Sequence, residues 1–200
     1  MPLLRAIERG DIPANQVPFA RRGLLLRSTD APVKELAAKL FSDSAPGARK
    51  EAIAKYQPVL SMKGDAGRGR KVFETVCATC HRAGDIGKDV GPNLATIRGW
   101  NPDQVLINIL DPNREVAPNF MAYTIETRDG RTLFGLIAEE GAASLTLKRA
   151  DGITDTILRG DIANISGTGL SLMPEGLEAV IGIGQMADLI AFLLHGADTK

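Results

Sequence analysis

Several things are scarce in this chain of 200 residues. It has two cysteines, which excludes a disulfide-rich scaffold. Six Phe, two Tyr and one Trp are few aromatics for a core of this size. Net charge is absent: 24 Lys+Arg stand against 24 Asp+Glu. A general nucleic-acid binder needs a basic footprint, so no nucleic-acid partner is expected. No apolar run approaches the roughly 18 residues that a membrane-spanning helix requires. The segment Met1-Pro2-Leu3-Leu4-Arg5 lacks a charged stretch followed by an apolar run and a small-residue cleavage site. What remains is a chain with 44% apolar residues and a mean hydropathy of −0.03. That fits one sizeable folded domain or two small ones, neither disordered nor embedded in a bilayer.

The zero charge conceals a gradient. Residues 1–63 hold 11 basic and 6 acidic side chains, residues 64–118 hold 7 and 7, and residues 119–200 hold 6 and 11. The two ends therefore carry surfaces of opposite sign, and either could dock a partner.

Periodicity divides the chain in a similar way. The first 60 or so residues read as short antiparallel helices. Asp30 is an N-cap ahead of Val33, Leu36 and Leu40, Ser44 is a second cap, and Pro58 ends or kinks the helix holding Ile53 and Tyr56. After a break at Gly64-Asp65-Ala66-Gly67, a helix carries Val72, Phe73, Val76, Cys77 and Cys80 on one face. Residues 82–99 are rich in glycine and read as loop. Asn101-Pro102 starts a helix whose buried face is Val105, Leu106, Ile109 and Leu110, and Asp111-Pro112 stops it. Then the period falls to two. Met121, Tyr123 and Ile125 alternate with polar residues, and Asp129-Gly130 is a hairpin turn. Strands are expected over 133–138, 144–148 and 154–158. A final helix has Met186, Leu189, Ile190 and Leu193 at i, i+3, i+4, i+7. The expected class is α+β, with 1–62 a helical N-terminal extension and 63–200 a mainly helical domain. Into that domain 119–168 is inserted as an antiparallel β-meander or small barrel.

The chemistry lies in Cys77-Ala78-Thr79-Cys80-His81. Two thiols one helical turn apart can reach both vinyl groups of one haem and form thioethers. The next residue, His81, can then offer a ring nitrogen to the iron. Both cysteines of the chain are consumed by this use. A thioredoxin-like redox pair needs a βαβ context, which is missing. A zinc site needs more ligands, yet the only other histidine is His195 and no further cysteine exists. One covalent haem c per chain is the expectation.

The run Gly67-Arg68-Gly69-Arg70-Lys71-Val72-Phe73-Glu74-Thr75-Val76-Cys77, the C-x-x-C-H pentad and Gly91-Pro92-Asn93-Leu94 resemble a class I cytochrome c. The likeness is closer to one branch, the haem-binding domain of planctomycete/verrucomicrobial type. Tyr56-Gln57-Pro58, Ile109-Leu110-Asp111-Pro112, Asp129-Gly130-Arg131 and Ser171-Leu172-Met173-Pro174-Glu175-Gly176-Leu177 carry it, and it spans most of residues 50–194. Domains of this branch end large dehydrogenase-like proteins. The resemblance thus implies one-electron transfer with a redox partner protein or a fused dehydrogenase domain, and no catalysis by the module itself. It also implies an extracytoplasmic, periplasmic site of action, with the export signal outside this sequence.

The second axial ligand must come from Met62, Met121, Met173, Met186 or His195. Met173 is preferred: Pro174 follows it, it lies in a loop that can strap a thioether across the haem, and it matches the distal methionine of cytochromes c. Met186 and Met121 lie on apolar faces and read as core. The resemblance also implies that the Pro92 carbonyl accepts a hydrogen bond from His81. Arg98 and Trp100 are candidates for holding a haem propionate; Asn93, Arg114 and Tyr123 are weaker ones. The alternative function is a gas or redox sensor, or a peroxidase-like module, with a labile or absent sixth ligand.

Overall fold

The computed structural model describes residues 2–12, 17, 19–41 and 49–196. The expected cap at Ser44 lies outside the described residues. Helices α1 (Pro2–Glu8), α2 (Phe19–Leu26) and α3 (Ala31–Leu40) enclose a small apolar cluster of Leu4, Ile7, Val17, Ala37 and Phe41. Asp30 caps α3 by accepting the Val33 N–H at 3.2 Å.

Helix α4 (Lys50–Tyr56) gives way to a 3₁₀ turn, Gln57–Ser61, at the proline that the sequence marked. Tyr56 and Val59 are buried in a second, larger core, together with residues from 73 to 194. The Tyr56 hydroxyl lies 2.7 Å from the Ile181 carbonyl and 3.0 Å from that of Glu178. Tyr56 and Val59, grouped with the extension by sequence, thus belong to the core of the domain beyond it.

That core is built around α5 (Ala66–Val72), α6 (Pro102–Leu110) and α7 (Ile183–Ala191). Asp65 caps α5 by accepting the Arg68 N–H at 2.8 Å, and Asn101 caps α6 by accepting that of Asp103 at 3.0 Å. The buried face of α6 is Val105, Leu106, Ile109 and Leu110, as its period predicts. Where α5 meets α7 the backbones nearly touch. A Cβ on Gly69 would lie 1.9 Å from the Asp188 carbonyl oxygen, so only glycine fits there. Arg68 straps the same crossing, reaching Asp188 with bonds of 2.7 and 2.8 Å, and Asp188 also accepts the Asp65 N–H at 2.7 Å. Phe73 and Phe192 meet beside it with ring centroids 5.4 Å apart.

Both helices end in a wider turn than the pattern suggests. The π-helical turn Phe73–Cys77 follows α5, with the Ala78 N–H bonded to the Phe73 carbonyl at 2.9 Å. A second one, Phe192–Gly196, follows α7. Short π segments are frequent at functional sites, and the first delivers Cys77.

The segment read as loop contains a minimal hairpin, β1 (Arg82–Ala83) with β2 (Ile86–Gly87). The β region has five strands: β3 (Met121–Thr127), β4 (Thr132–Glu140), β5 (Ser144–Lys148), β6 (Thr154–Leu158) and β7 (Ile162–Ser171). All pairs are antiparallel, in the order β6-β5-β4-β3-β7. The sequence pattern does not predict the fifth strand, which carries the sheet to Ser171. Edge strands β6 and β7 are joined by only Arg159–Asp161. In a flat sheet they would stand four spacings, about 19 Å, apart. The four chain steps from Leu158 to Ile162 reach at most about 14 Å. The sheet must therefore curl, and bulges at Met121/Tyr123, Glu126/Thr127 and Ile137/Glu139 help it do so. Ile125, Leu145, Leu147 and Ile157 fill the inside of the curl.

Candidate functional site

The C-x-x-C-H segment leaves the π turn as a tight, internally bonded loop. The Cys77 carbonyl accepts the N–H groups of Cys80 (3.1 Å) and His81 (2.9 Å). The Cys80 carbonyl accepts those of Val90 (3.0 Å) and Gly91 (2.7 Å), which folds 88–92 back under the histidine. Two glycines make this return possible. Gly87 has φ +91°, and a Cβ there would lie 1.9 Å from the His81 carbonyl oxygen. A Cβ on Gly91 would lie 2.6 Å from His81 Cε1, so the backbone lies directly against the imidazole.

His81 Nδ1 stands 2.8 Å from the Pro92 carbonyl oxygen. A carbonyl only accepts, so Nδ1 carries the proton and donates; Nε2 then keeps its lone pair. Burial holds the imidazole pKa below its ordinary value, and the Pro92 bond works against that shift. The ring is thus a neutral base with a defined tautomer.

The thiols are perturbed upward. Burial, with the neighbouring Cys80 adding to it, pushes Cys77 up to about 12. Burial also raises Cys80, while Lys88 acts in the opposite direction. A redox C-x-x-C has a lowered thiol pKa and a nucleophilic thiolate. This pair has the reverse character: two neutral S–H groups one turn apart.

The turn between β5 and β6 lies on this loop. Cys80 Sγ is 3.4 Å from the Ala150 carbonyl oxygen, Lys88 donates to the Asp151 carbonyl at 2.9 Å, and Lys148 donates to that of Asp89 at 3.0 Å. At its other end the same sheet leads, through β7, into residues 171–177.

Met173 lies in that segment and packs against the large core, as do Cys77, Leu94 and Leu177. The other candidate ligands sit elsewhere. Met186 is wholly buried on α7, Met62 is 45% exposed, and the Met121 methyl lies 3.6 Å from where a Cβ on Gly167 would be. His195 is exposed on the turn after α7. Asn93 caps the 3₁₀ turn Leu94–Ile97 through the Ala95 N–H at 2.9 Å, and Tyr123 packs over Gly167. Arg98 and Trp100 are exposed on the stretch from that turn to α6. Arg114 is exposed beyond α6, its N–H bonded to the Asp111 carbonyl at 3.1 Å.

Two residues that sequence reasoning missed, Asn113 and Arg49, shape the Met173 segment. Asn113 bonds to Ser171 and Glu175, the Ser171 hydroxyl accepts the Met173 N–H at 3.1 Å, and Arg49 pairs with Glu178 while donating to the Leu110 carbonyl at 2.9 Å. The stop signal Asp111-Pro112 was the one available pointer to Asn113.

The residues present suit a covalently held haem. Two protonated thiols sit one turn apart, and the following imidazole is fixed through Nδ1 with Nε2 left to bind a metal. Among the described residues, no three His, Cys, Asp or Glu side chains gather as a site for a free ion. No helix among them is long and apolar enough to cross a membrane.

Residues 64–133 match the family model described as cytochrome C oxidase, cbb3-type, subunit III. The match covers α5, C-x-x-C-H, Pro92 and α6, and stops short of Met173. It supports a c-type cytochrome domain, with haem binding and electron transfer as its attributes. No curated protein matches the chain.

Proposed function

We propose that this chain is a one-electron-transfer module in which Cys77 and Cys80 hold haem c and His81 and Met173 bind its iron. The observation that carries the proposal is the bond from His81 of C-x-x-C-H to the Pro92 carbonyl, which presents Nε2 in the form a metal needs. Cys77 and Cys80 would hold the haem through their sulfurs, as thioethers. The haem supplies a reversible one-electron iron couple. His81 would offer Nε2 to the iron, while Pro92 fixes its ring and raises its basicity. Met173, packed against the core, would offer a thioether sulfur, a ligand that favours the reduced state and raises the potential. Two protein ligands would leave no place for a gas or peroxide, which favours electron transfer over the sensor or peroxidase alternative.

On this reading the helices around α5, α6 and α7 form a cytochrome c core of the planctomycete/verrucomicrobial type, with 119–171 as its β insertion. Arg98 and Trp100, exposed on the stretch between the Leu94–Ile97 turn and α6, are our candidates for holding a propionate. Electrons come from a dehydrogenase partner or a fused dehydrogenase domain, through a small transient interface. Because thioether attachment takes place outside the bacterial cytoplasmic membrane, we place the domain there.

The test is to produce the chain with an export signal in a bacterium competent for haem attachment. One thioether-linked haem per chain and a reversible one-electron couple are expected. Protein with no covalent haem, or with haem but no reversible couple, would overturn the proposal.

A further inference from the structure

Asn113 stands just beyond the stop of α6, yet its side chain reaches across to residues 171–175. Its Oδ1 accepts the Ser171 N–H at 2.8 Å. Its Nδ2 donates to Glu175 Oε1 at 2.6 Å. One carboxamide thus bonds the chain two residues before Met173 and two residues after it. Inside that span the Ser171 hydroxyl accepts the Met173 N–H at 3.1 Å, closing a second, smaller ring.

The frame around this staple is firm on both sides. On the Asn113 side, Leu110 is fully buried in the large core, and Asp111 and Pro112 are buried. On the far side, Arg49 pairs with Glu178 and Tyr56 meets the Glu178 and Ile181 carbonyls. Between Ser171, the last residue of β7, and the 3₁₀ turn Leu177–Ala179 there is no regular secondary structure. The Met173 segment therefore depends on side-chain bonds, and Asn113 supplies two of them.

We infer that Asn113 is a positioning residue for Met173: its carboxamide staples both flanks of the strap and keeps the thioether from leaving the iron. This rests on Met173 being the distal ligand. Asparagine suits the task because one planar group offers an acceptor and a donor on opposite sides. A carboxylate there would keep the Ser171 bond but face Glu175 with like charge. An open strap exposes the sixth position, so the affinity of ferric protein for an added ligand reports the fraction opened.

The test uses the haem-loaded chain and added imidazole. Asn113→Ala should bind imidazole roughly tenfold more tightly than wild type, the effect expected for losing hydrogen bonds of ordinary net strength. Amide exchange at Ser171 and Met173 should speed up, while exchange in α5 stays unchanged. Asn113→Asp should open the strap as well. The exchange of partners in Asn113→Asp with Glu175→Gln, which places an amide donor opposite the new carboxylate, should restore wild-type affinity. Unchanged imidazole affinity in Asn113→Ala and Asn113→Asp, with a wild-type methionine–iron charge-transfer band present, would overturn the Asn113 role and leave Met173 standing. Absence of that band in wild type would overturn the Met173 reading, and this inference with it. Fast exchange throughout α5 in every variant would mean that Asn113 serves the fold at large, which also contradicts the inference.

Discussion

The His81 loop and the Met173 segment, which we propose face one haem, are built by opposite means. The His81 side is local: Cys77, Cys80, His81, Gly91 and Pro92 span 16 residues, and the Pro92 bond links positions only 11 apart. The Met173 side is assembled from a distance: Asn113 is 58 residues from Ser171, and Arg49 is 129 from Glu178. A local loop can be written as a motif and recognised anywhere. A strap held by remote side chains depends on the fold being complete, so it is also the side that conditions or mutations can open.

The largest effect should come from breaking the local side. Replacing Cys77 and Cys80 by Ser is expected to abolish covalent haem outright, measured by haem staining after denaturing electrophoresis. Met173→Ala, by contrast, should retain full covalent haem and lower the potential. Retained haem in the double serine variant would show that the two sides are not distinguished by attachment.

Next comes the crossing that ties the sides together, since α5 leads into Cys77 and α7 follows the strap. Gly69→Ala would force a Cβ to within 1.9 Å of the Asp188 carbonyl. A loss of at least ~1–3 kcal/mol is expected in denaturant unfolding, the usual range for overpacking. Gly99→Ala meets nothing within 4 Å and should stay within about 0.5 kcal/mol of wild type. Equal stability for the two variants would contradict the close crossing.

The smallest effect is a pH dependence at the same crossing. Hydrogen bonds from Arg68, and then from the Asp65 N–H, hold the Asp188 carboxyl below the usual range. Its folded pKa is thus lower than its unfolded one. The stabilisation it gives is complete above about pH 4 and is lost as pH falls through the folded value. Acid titration of Arg68→Gln should show a shallower loss of stability below pH 4 than wild type. Parallel curves would remove Asp188 from the account.

How far the sequence showed this structure obeys the same division. The C-x-x-C-H pentad, the Asp30 and Asn101 caps and the apolar face of α6 were legible because each depends on neighbours within a turn or two. β7 was not legible. Its sequence, Ile162-Ala163-Asn164-Ile165-Ser166-Gly167-Thr168-Gly169-Leu170-Ser171, has two glycines and no clean alternation, and pairing with β3 makes it a strand. The π turns after α5 and α7 were hidden because their side-chain pattern stays helical. Asn113 and Arg49 were invisible for a different reason: their partners are remote, and a lone polar residue after a helix stop reads as an ordinary loop residue. Met173 was legible as a candidate through its resemblance to a known segment, but what holds it was not.

The central claim, that His81 and Met173 share one iron, is tested most directly by near-infrared magnetic circular dichroism of the ferric protein. The account predicts a methionine–iron charge-transfer band in wild type that persists in Met121→Ala and vanishes in Met173→Ala. A band that survives Met173→Ala, or a wild-type ferric spectrum that is high-spin with no such band, would contradict it.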